Sequence, residues 1–371
     1  MKQRWVWQHP EYPNFQYNIK KLTPILLDIK YLQGLLHGVY ETINAEEHSL
    51  AKLEILTTEI VDTSAIEGEI LNRNSVRSSI SKKLGIKLSI EDSSDDVSDG
   101  LVDILLDANR NYAKEFNKER LFGWHNALFP TGYNSIFRIN IASYRGEEEM
   151  QIVSGSIGKE KVHYVAPPRI TLEDEMERFF QWLNNDEDLS IIKAGIAHLW
   201  FVIIHPMDDG NGRITRALTD MILSRESKQP YKMYSLSQSI KADKKAYYTK
   251  LEEASSYQVD ITNWLEWFLC TVLSSLKEAK KNISIVLEKT LFWDKHKQTI
   301  LNARQIKVLN KLLDIGENNF VGGINTKKYA SMTKVSSATA SRELKDLVQK
   351  GCLLQNEGTA GRNISYKISV K

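Results

Sequence analysis

The segment from Ser190 to Ile204 constrains the fold most, because it is apolar on nearly every side of a helix. A surface helix carries one apolar stripe and one polar face, so this segment is expected at the centre of a core. No apolar run in the chain reaches the roughly 18 to 20 residues that cross a bilayer. Pro206 disfavours helical geometry at the residue before it. We therefore predict a buried central helix that ends at His205.

A charged, glycine-rich loop follows this helix and leads into a new amphipathic helix. Gly210 and Gly212 allow backbone conformations that turn successive N–H groups towards an anion. The start of the next helix adds free N–H groups and the positive end of its dipole. The loop is therefore a candidate phosphate cradle, although Gly-Asn-Gly turns between helices are also common as plain structure.

The side chains of this loop add chemistry to the cradle. Asp209 could hold a divalent cation between phosphates, and Arg213 and Arg216 could neutralise phosphate oxygens. His205 could accept a proton from an attacking hydroxyl. A single histidine beside a turn is more often structural, so the argument depends on all of these groups falling within residues 205–216.

Residues 205–216 resemble the signature of Fic (filamentation induced by cAMP) domains, His-Pro-Phe-x-Asp/Glu-Gly-Asn-Gly-Arg-x-x-Arg, with Met207 in place of the phenylalanine. We expect Met207 to anchor the loop through apolar contacts. The resemblance implies a mainly α Fic fold and an enzyme that transfers AMP from ATP to a Ser, Thr or Tyr hydroxyl of a target protein or of itself. It also implies His205 as the base and Asp209 as the Mg²⁺ ligand. The residues implied to bind ATP are Gly210, Asn211, Gly212, Arg213 at the β-phosphate and Arg216 at the γ-phosphate.

The segment from Tyr144 to Pro168 alternates polar and apolar residues and turns at glycines, which predicts a β-hairpin. By resemblance this hairpin is the flap of a Fic domain, which aligns the backbone of the target by strand addition. The implied flap residues are Gln151, Ile152, Val153, Ser154 and Gly155. Tyr247 and Tyr248, with the helix around 252–255, fall where Fic domains form the adenosine pocket, although aromatic pairs at this spacing are also common in cores.

Upstream, residues 63–68 resemble the inhibitory motif Ser/Thr-x-x-x-Glu-Gly/Asn that precedes many Fic domains. Thr63 and Glu67 are four residues apart and share one helical face, and Gly68 is a natural helix stop. The resemblance implies that Glu67 pairs with Arg216 and disfavours productive ATP binding. The alternative is a solvated glutamate at the end of a helix.

The C-terminal part of the chain is basic. From Gln298 to Lys371 there are 12 Lys and Arg against 5 Asp and Glu, whereas the rest of the chain has 37 against 42. The pattern predicts helices over Leu301–Leu313, 326–331 and 336–349 and then a hairpin, which together indicate a winged helix. The side chains expected to face a nucleic acid are Lys334, Ser336, Ser337, Thr339, Arg342 and, on the wing, Arg362. Winged helices also serve as protein-interaction modules, so the partner is either DNA or a protein.

The length of 371 residues favours several domains. We predict an N-terminal arm and helical region over 1–100, a Fic catalytic domain over 101–290 and the winged helix over 298–371. The aromatic arm, from Trp5 to Tyr17, is expected to pack onto a core and resembles the uncharacterised N-terminal region of some bacterial Fic proteins. Helices are expected from Ile19 to Ile70. The two cysteines are expected to be buried free thiols.

Three functions are compatible with these features. The leading hypothesis is an autoinhibited, Mg²⁺-dependent protein adenylyltransferase of bacterial type that acts in the cytoplasm, without a membrane partner. One alternative is a Fic enzyme that transfers another phosphate-linked group or mainly removes AMP from proteins, with Glu67 aligning water. The other is a DNA-binding regulator whose Fic domain senses a nucleotide. A homodimer, the identity of the target and the trigger that relieves inhibition are left open by the sequence.

Overall fold

The computed structural model describes residues 4–41, 44–86, 96–134, 137–154, 161–185, 190–315, 322–359 and 364–369. In these ranges the chain is mainly helical, as expected, and the strands pair into small two-stranded antiparallel sheets. Contacts divide the chain into two compact units, Met1–Lys277 and Glu278–Lys371. No helix in the described ranges is long and apolar enough to cross a membrane.

The helices of the first unit begin with α1 (Ile19–Tyr40), α2 (Ala45–Ile66), α3 (Arg73–Leu84), α4 (Asp96–Arg110), α5 (Lys118–Leu128), α6 (Leu172–Asn184), α7 (Ile191–Ile204), α8 (Asn211–Ser227), α9 (Leu236–Ala242) and α10 (Lys244–Ala254). Its strands are β1 (Tyr133–Asn134), β2 (Phe137–Arg138), β3 (Gln151–Ser154) and β4 (Lys161–Val165). The long helix α11 (Thr262–Lys295) contains the boundary between the two units.

Helix α7 lies at the centre of the first unit, as its sequence predicts. Nearly all of its side chains are buried, and it packs against α6 and α8. The Ser190 hydroxyl caps its start by accepting from the Lys193 N–H. At Gly195 an added Cβ would lie 2.8 Å from Leu265 and 2.9 Å from Phe268, so the missing side chain lets α11 approach closely.

The N-terminal arm packs onto this core, also as predicted. Trp5 and Tyr12 are buried, and the Tyr12 hydroxyl bonds to Glu175 on α6 and to the indole of Trp200 on α7. The indole N–H of Trp7 donates to the carbonyl of Val165 at the end of the hairpin strand β4. The two predicted helices between Ile19 and Ile70 are α1 and α2. Helix α2 packs against α3, α4, α8 and α9, which sets its end beside the start of α8.

The second unit has its own apolar core, which includes Phe292, Leu309, Leu344 and Ile368. After α11 come α12 (Ala303–Ile315), α13 (Thr326–Thr333) and α14 (Ser337–Gln349), then β5 (Leu353–Gln355) paired with β6 (Tyr366–Ile368). These elements follow the predicted order. Both cysteines are free, and Cys352 is buried, but the prediction for Cys270 was wrong because its position on α11 is exposed.

Candidate active site around the loop between α7 and α8

His205 is the first residue after α7 and takes a left-handed conformation with φ of 50°. Its Nδ1 lies 3.3 Å from the carbonyl oxygen of Val202. A carbonyl only accepts, so Nδ1 carries the proton in this pair and Nε2 keeps its lone pair. Burial lowers the pKa of His205 to about 4, which keeps the ring neutral near pH 7. The side chain is therefore in the form that can accept a proton.

Arg145 holds the loop from the outside, and no motif in the sequence indicates this role. Its Nε donates to the carbonyl of His205 over 2.9 Å, and its backbone N–H donates to the carbonyl of Pro206 over 2.9 Å. A further bond runs from its guanidinium to the carbonyl of Pro167, after the hairpin. Arg145 is 2% exposed. It therefore joins the backbone of the histidine to the segments on both sides of the hairpin.

The two aspartates of the loop have different surroundings. Asp208 accepts from the backbone N–H groups of Asn140 and Gly146, each over 3.1 Å, so it fastens the loop to its neighbour. Asp209 accepts from the side-chain amide of Asn134 and the N–H of Gly210, but 37% of its side chain is exposed. The carboxylate of Asp209 is therefore accessible to a ligand from the solvent.

Asp209 fits the donor set that Mg²⁺ prefers. Mg²⁺ usually takes one or two protein carboxylates and completes its shell with substrate phosphates and water. Asp209 offers one carboxylate beside the start of α8. Across the described residues, no group of three or more His, Cys, Asp or Glu side chains is arranged to hold a metal. A cation here would thus depend on phosphate oxygens for part of its coordination.

The glycines and Asn211 shape the cradle. Gly210 has φ of 81°, and an added Cβ would lie 2.5 Å from Leu128. The side chain of Asn211 bonds in both directions to the backbone of Met207, over 3.0 and 2.8 Å. Asn211 therefore braces the loop, and its own N–H at the start of α8 is the group left for an anion. Met207 is fully buried, as the sequence predicts.

Arg213 and Arg216, in the first two turns of α8, meet the turn that ends α2. Arg216 donates from Nε to the hydroxyl of Thr63 over 2.6 Å, and from Nη2 to a carboxylate oxygen of Glu67 over 2.7 Å. Arg213 donates from Nη1 to both carboxylate oxygens of Glu69, over 2.9 and 2.7 Å. The Glu67–Arg216 contact was predicted from the resemblance, whereas the Glu69–Arg213 contact was missed.

The charge state of Glu67 follows from this contact. Burial by itself would raise the pKa of its carboxyl, but the charge and hydrogen bond of Arg216 outweigh burial and hold the pKa below its ordinary value. The carboxylate also occupies the space over Gly212, where a Cβ would overlap Glu67 Oε1 and lie 3.2 Å from Arg216 Nη1. Glu67 is therefore an anion seated where the cradle begins.

The predicted adenosine-pocket tyrosines differ in exposure. Tyr247 is buried, and its hydroxyl lies 2.9 Å from Nε2 of the buried His198. Tyr248 is 43% exposed, and its hydroxyl lies 3.5 Å from the carbonyl of Ile66 at the end of α2. Of these two tyrosines, Tyr248 is therefore the one with an exposed ring near the turn that carries Glu67.

The hairpin is present as predicted, with β3 antiparallel to β4. Gln151 and Val153 are exposed and Ile152 is half-buried, the backbone of Ser154 closes the strand, and Gly155 lies outside the described residues. His163 and Lys161 on β4 both contact Glu252 on α10, over 3.0 and 3.5 Å. Within the described residues β3 pairs with β4 alone, so its other edge carries free backbone groups.

Two family models match this chain, and one of them covers the loop between α7 and α8. Residues 115–223 match the Fic/DOC family, and residues 5–86 match a domain of unknown function (DUF4172). The chain therefore contains a Fic domain. The Fic/DOC match runs from α5 into α8 and includes the loop between α7 and α8.

The curated relatives match over short stretches. A uridine 5'-monophosphate transferase of Xanthomonas campestris is 27% identical over 130 residues, which cover 30% of this chain and 24% of that protein. Protein adenylyltransferase fic-1 of Caenorhabditis elegans is 37% identical over 15% of this chain and 12% of its own length. Protein adenylyltransferase Fic of Drosophila grimshawi is 41% identical over the same shares. The chain thus spans a quarter or less of these relatives.

Two solved structures share the fold. A Fic family protein from Desulfovibrio desulfuricans has a TM-score of 0.50 and 19% identity, with 94% of this chain and 97% of that chain covered. A Fic domain containing signaling protein from Bacteroides thetaiotaomicron has a TM-score of 0.51 and 14% identity, with 70% and 96% covered. At these identities the likeness concerns the fold alone.

Proposed function

We propose that the chain is a protein adenylyltransferase that transfers AMP from ATP to a Ser, Thr or Tyr hydroxyl of a protein. The observation that carries the proposal is one loop that joins a neutral histidine to the first N–H groups of α8 and to the buried side chains of Arg213 and Arg216. Phosphoryl-type transfer depends on positioning and charge stabilisation more than on covalent chemistry, and this loop supplies both.

The residues of the loop take separate roles in this reaction. His205 accepts the proton of the attacking hydroxyl on Nε2, because Nδ1 donates to the carbonyl of Val202. The hydroxyl oxygen bonds to the α-phosphorus of ATP while the bond from that phosphorus to the β-phosphate breaks, and pyrophosphate leaves. Arg213 and Arg216 bind the β- and γ-phosphates, and the N–H groups at the start of α8 bind oxygens of the same phosphates. Asp209 holds Mg²⁺, which when bound neutralises phosphate charge and orients the leaving group. Arg145 is a positioning residue that fixes the backbone of His205.

The target protein docks at β3 in this proposal. Among the described residues β3 pairs with no strand except β4, and an extended segment of a target would add to the other edge of this two-stranded sheet. The contacts of Glu252 with His163 and Lys161 hold the other strand to α10. A target hydroxyl presented from such a segment would be held in register relative to the loop.

The test is transfer of label from ATP that carries the label on the α-phosphate. Wild type and the Glu67→Gly variant are incubated with this ATP, Mg²⁺ and cell extract, and labelled protein is detected. His205→Ala should lose transfer but keep ATP binding, because the variant removes a base and leaves the phosphate cradle. His37→Ala on the exposed face of α1 is the matched control and should behave as the parent does.

Label on UTP tests the nucleotide, since one relative is named a uridine 5'-monophosphate transferase. Transfer from UTP in preference to ATP would replace AMP by UMP and leave the catalytic roles unchanged. Release of AMP from a premodified target without forward transfer would support the AMP-removing enzyme instead. Equal transfer by His205→Ala and its parent would overturn the proposal.

We also propose that Glu67 restrains the enzyme, because its carboxylate takes the guanidinium that the γ-phosphate requires. The 2.7 Å contact with Arg216 and the position over Gly212 support this role. Thr63 holds Arg216 through its hydroxyl and its carbonyl, and Gly68 ends the helix with φ of 90°. Thr63 and Glu67 thus act on one arginine, and Gly68 ends the helix that carries them.

For the second unit we propose a winged helix that binds DNA through α14. Lys334, Ser337, Arg342 and Lys345 are exposed at or along this helix, whereas Glu343 is buried and turns inward to Arg304 and Tyr329. The exposed face is therefore basic. Ser336 and Thr339 bond to each other at the start of the helix, and Arg362 lies outside the described residues.

Electrophoretic mobility shifts over a range of salt concentrations test this second proposal. Lys334→Ala with Arg342→Ala should weaken binding and flatten its salt dependence, because phosphate contacts release counterions. Lys289→Ala, whose lysine pairs with Asp314, is the control. Binding of a protein without any shift of DNA would assign the unit to protein recognition.

A further inference from the structure

Glu69 forms an ion pair with Arg213, just as Glu67 forms one with Arg216. Both carboxylates leave the same turn after α2, and each meets an arginine at the start of α8. We propose that Glu69 is a second inhibitory carboxylate, which blocks the β-phosphate position at Arg213 independently of Glu67. The proposal rests on the assignment of these arginines to the phosphates of a nucleotide.

The backbone of the turn fixes where Glu69 points. The N–H of Gly68 donates to the carbonyl of Ala65, and the N–H of Glu69 donates to the carbonyl of Ser64 over 3.0 Å. This arrangement closes the helix around a residue with positive φ, which is the usual place for glycine. Glu67 lies before that residue and Glu69 after it, and the reversal of the chain between them directs both towards α8.

Exposure decides which partners can leave the contact. The side chains of Arg213 and Arg216 are 4% and 2% exposed, whereas those of Glu69 and Glu67 are 34% and 31% exposed. The carboxylate groups can rotate into the solvent, whereas the buried guanidinium groups cannot. A buried guanidinium without an anion is costly, so the carboxylates give way only when another anion replaces them.

The arginines also retain unused hydrogen-bond donors. Nε of Arg213 and Nη1 of Arg216 are buried without a hydrogen-bond partner among the described residues. A carboxylate has two oxygens, whereas a phosphate group of a nucleotide presents more acceptors in a tetrahedral array. A bound polyphosphate can therefore satisfy donors that Glu67 and Glu69 leave unpaired.

The effects of the two carboxylates on nucleotide affinity can be distinguished, because Glu69 pairs with the arginine proposed to bind the β-phosphate and Glu67 with the arginine proposed to bind the γ-phosphate. Removal of the charge of Glu69 takes away the closer carboxylate of Arg213 and leaves its 3.7 Å contact with Asp209, which should strengthen binding of nucleoside diphosphates and triphosphates alike. Removal of the charge of Glu67 frees Arg216, which should strengthen binding of the triphosphate more than of the diphosphate. A merely structural role for Glu69 would not change the affinity for either nucleotide.

The experiment measures binding of α,β-methylene ATP and α,β-methylene ADP to the full chain by calorimetry with Mg²⁺. The variants are Glu67→Gln, Glu69→Gln and the double substitution, which remove charge at nearly constant volume. Glu54→Gln is the matched control, because Glu54 is also on α2 but pairs with Arg73 and Arg77. Glu69→Ala gives a second test if the glutamine keeps a hydrogen bond to Arg213.

We expect Glu69→Gln to tighten both analogues by about tenfold, since it removes one charge-assisted pair. The double variant should bind the triphosphate more tightly than either single variant. Affinities of Glu69→Gln and Glu69→Ala equal to wild type, with tighter binding by Glu67→Gln, would overturn this proposal and leave the adenylyltransferase intact. Absence of binding to every variant would instead remove the proposed function.

Discussion

Replacement of Glu67 by glycine should raise AMP transfer, because it frees Arg216 for the γ-phosphate. The substitution removes one charge-assisted hydrogen bond of 2.7 Å to a guanidinium that is 2% exposed. Such bonds contribute about 1.5 to 3 kcal/mol, which corresponds to about ten- to a hundredfold in productive binding. Since 31% of the Glu67 side chain is exposed, solvent screening places the expected effect near the lower end, at about tenfold.

The assay is the initial rate of self-modification with α-labelled ATP and Mg²⁺, over a range of ATP concentrations. Glu67→Gly combined with His205→Ala should be inactive, which shows that the gain uses the same base. Without nucleotide the single variant should melt at a lower temperature than wild type, because Arg216 loses the carboxylate that pairs with it, and ATP should raise that temperature more than in wild type. Equal rates for wild type and Glu67→Gly at every ATP concentration would refute the reasoning and leave Glu67 as a glutamate at the end of a helix.

Three further predictions concern the base, the core and the second unit. Transfer by the Glu67→Gly enzyme should stay level from pH 8 to about pH 5 and decline at still lower pH, because His205 accepts a proton only when neutral. Burial lowers the pKa of His205 to about 4, and loss of the Glu67 charge lowers it further; a pH–rate profile checks this. His198→Ala should lower the free energy of unfolding by about 2 to 4 kcal/mol in urea titrations, because it opens a cavity and removes the hydrogen bond between Nε2 of His198 and the hydroxyl of Tyr247. A chain that ends at Lys277 should retain self-modification and lose DNA association, since the catalytic loop lies in the first unit; label transfer and mobility shifts on the truncated chain measure both.

Local patterns predicted the parts of the site that lie close together in sequence. The apolar character of α7, the proline after it and the glycines of the loop define the helix end and the cradle within a few residues. The alternation around Ile152 defines the hairpin in the same way. Helix α3 was not predicted, because its serines, several of them buried, interrupt the apolar stripe on which such predictions depend.

Contacts between distant residues were predictable only through a resemblance. The Glu67–Arg216 pair joins positions 149 residues apart, and it was expected because both belong to known motifs. The Glu69–Arg213 pair is separated by 144 residues and the Arg145–His205 bond by 60. An isolated glutamate or arginine in a sequence has no partner until the fold supplies one, so neither contact could be predicted.

The position of Glu67 over Gly212 makes its competition with phosphate steric as well as electrostatic. Gly212 lies in the first turn of α8, where backbone N–H groups are free to bind an anion, and its missing side chain leaves room against the backbone. The carboxylate of Glu67 fills that room, since a Cβ there would overlap it. A phosphate that approaches the same N–H groups needs the same space. In the proposed function charge and volume therefore act in the same direction, and we expect Glu67 to leave before a triphosphate binds fully.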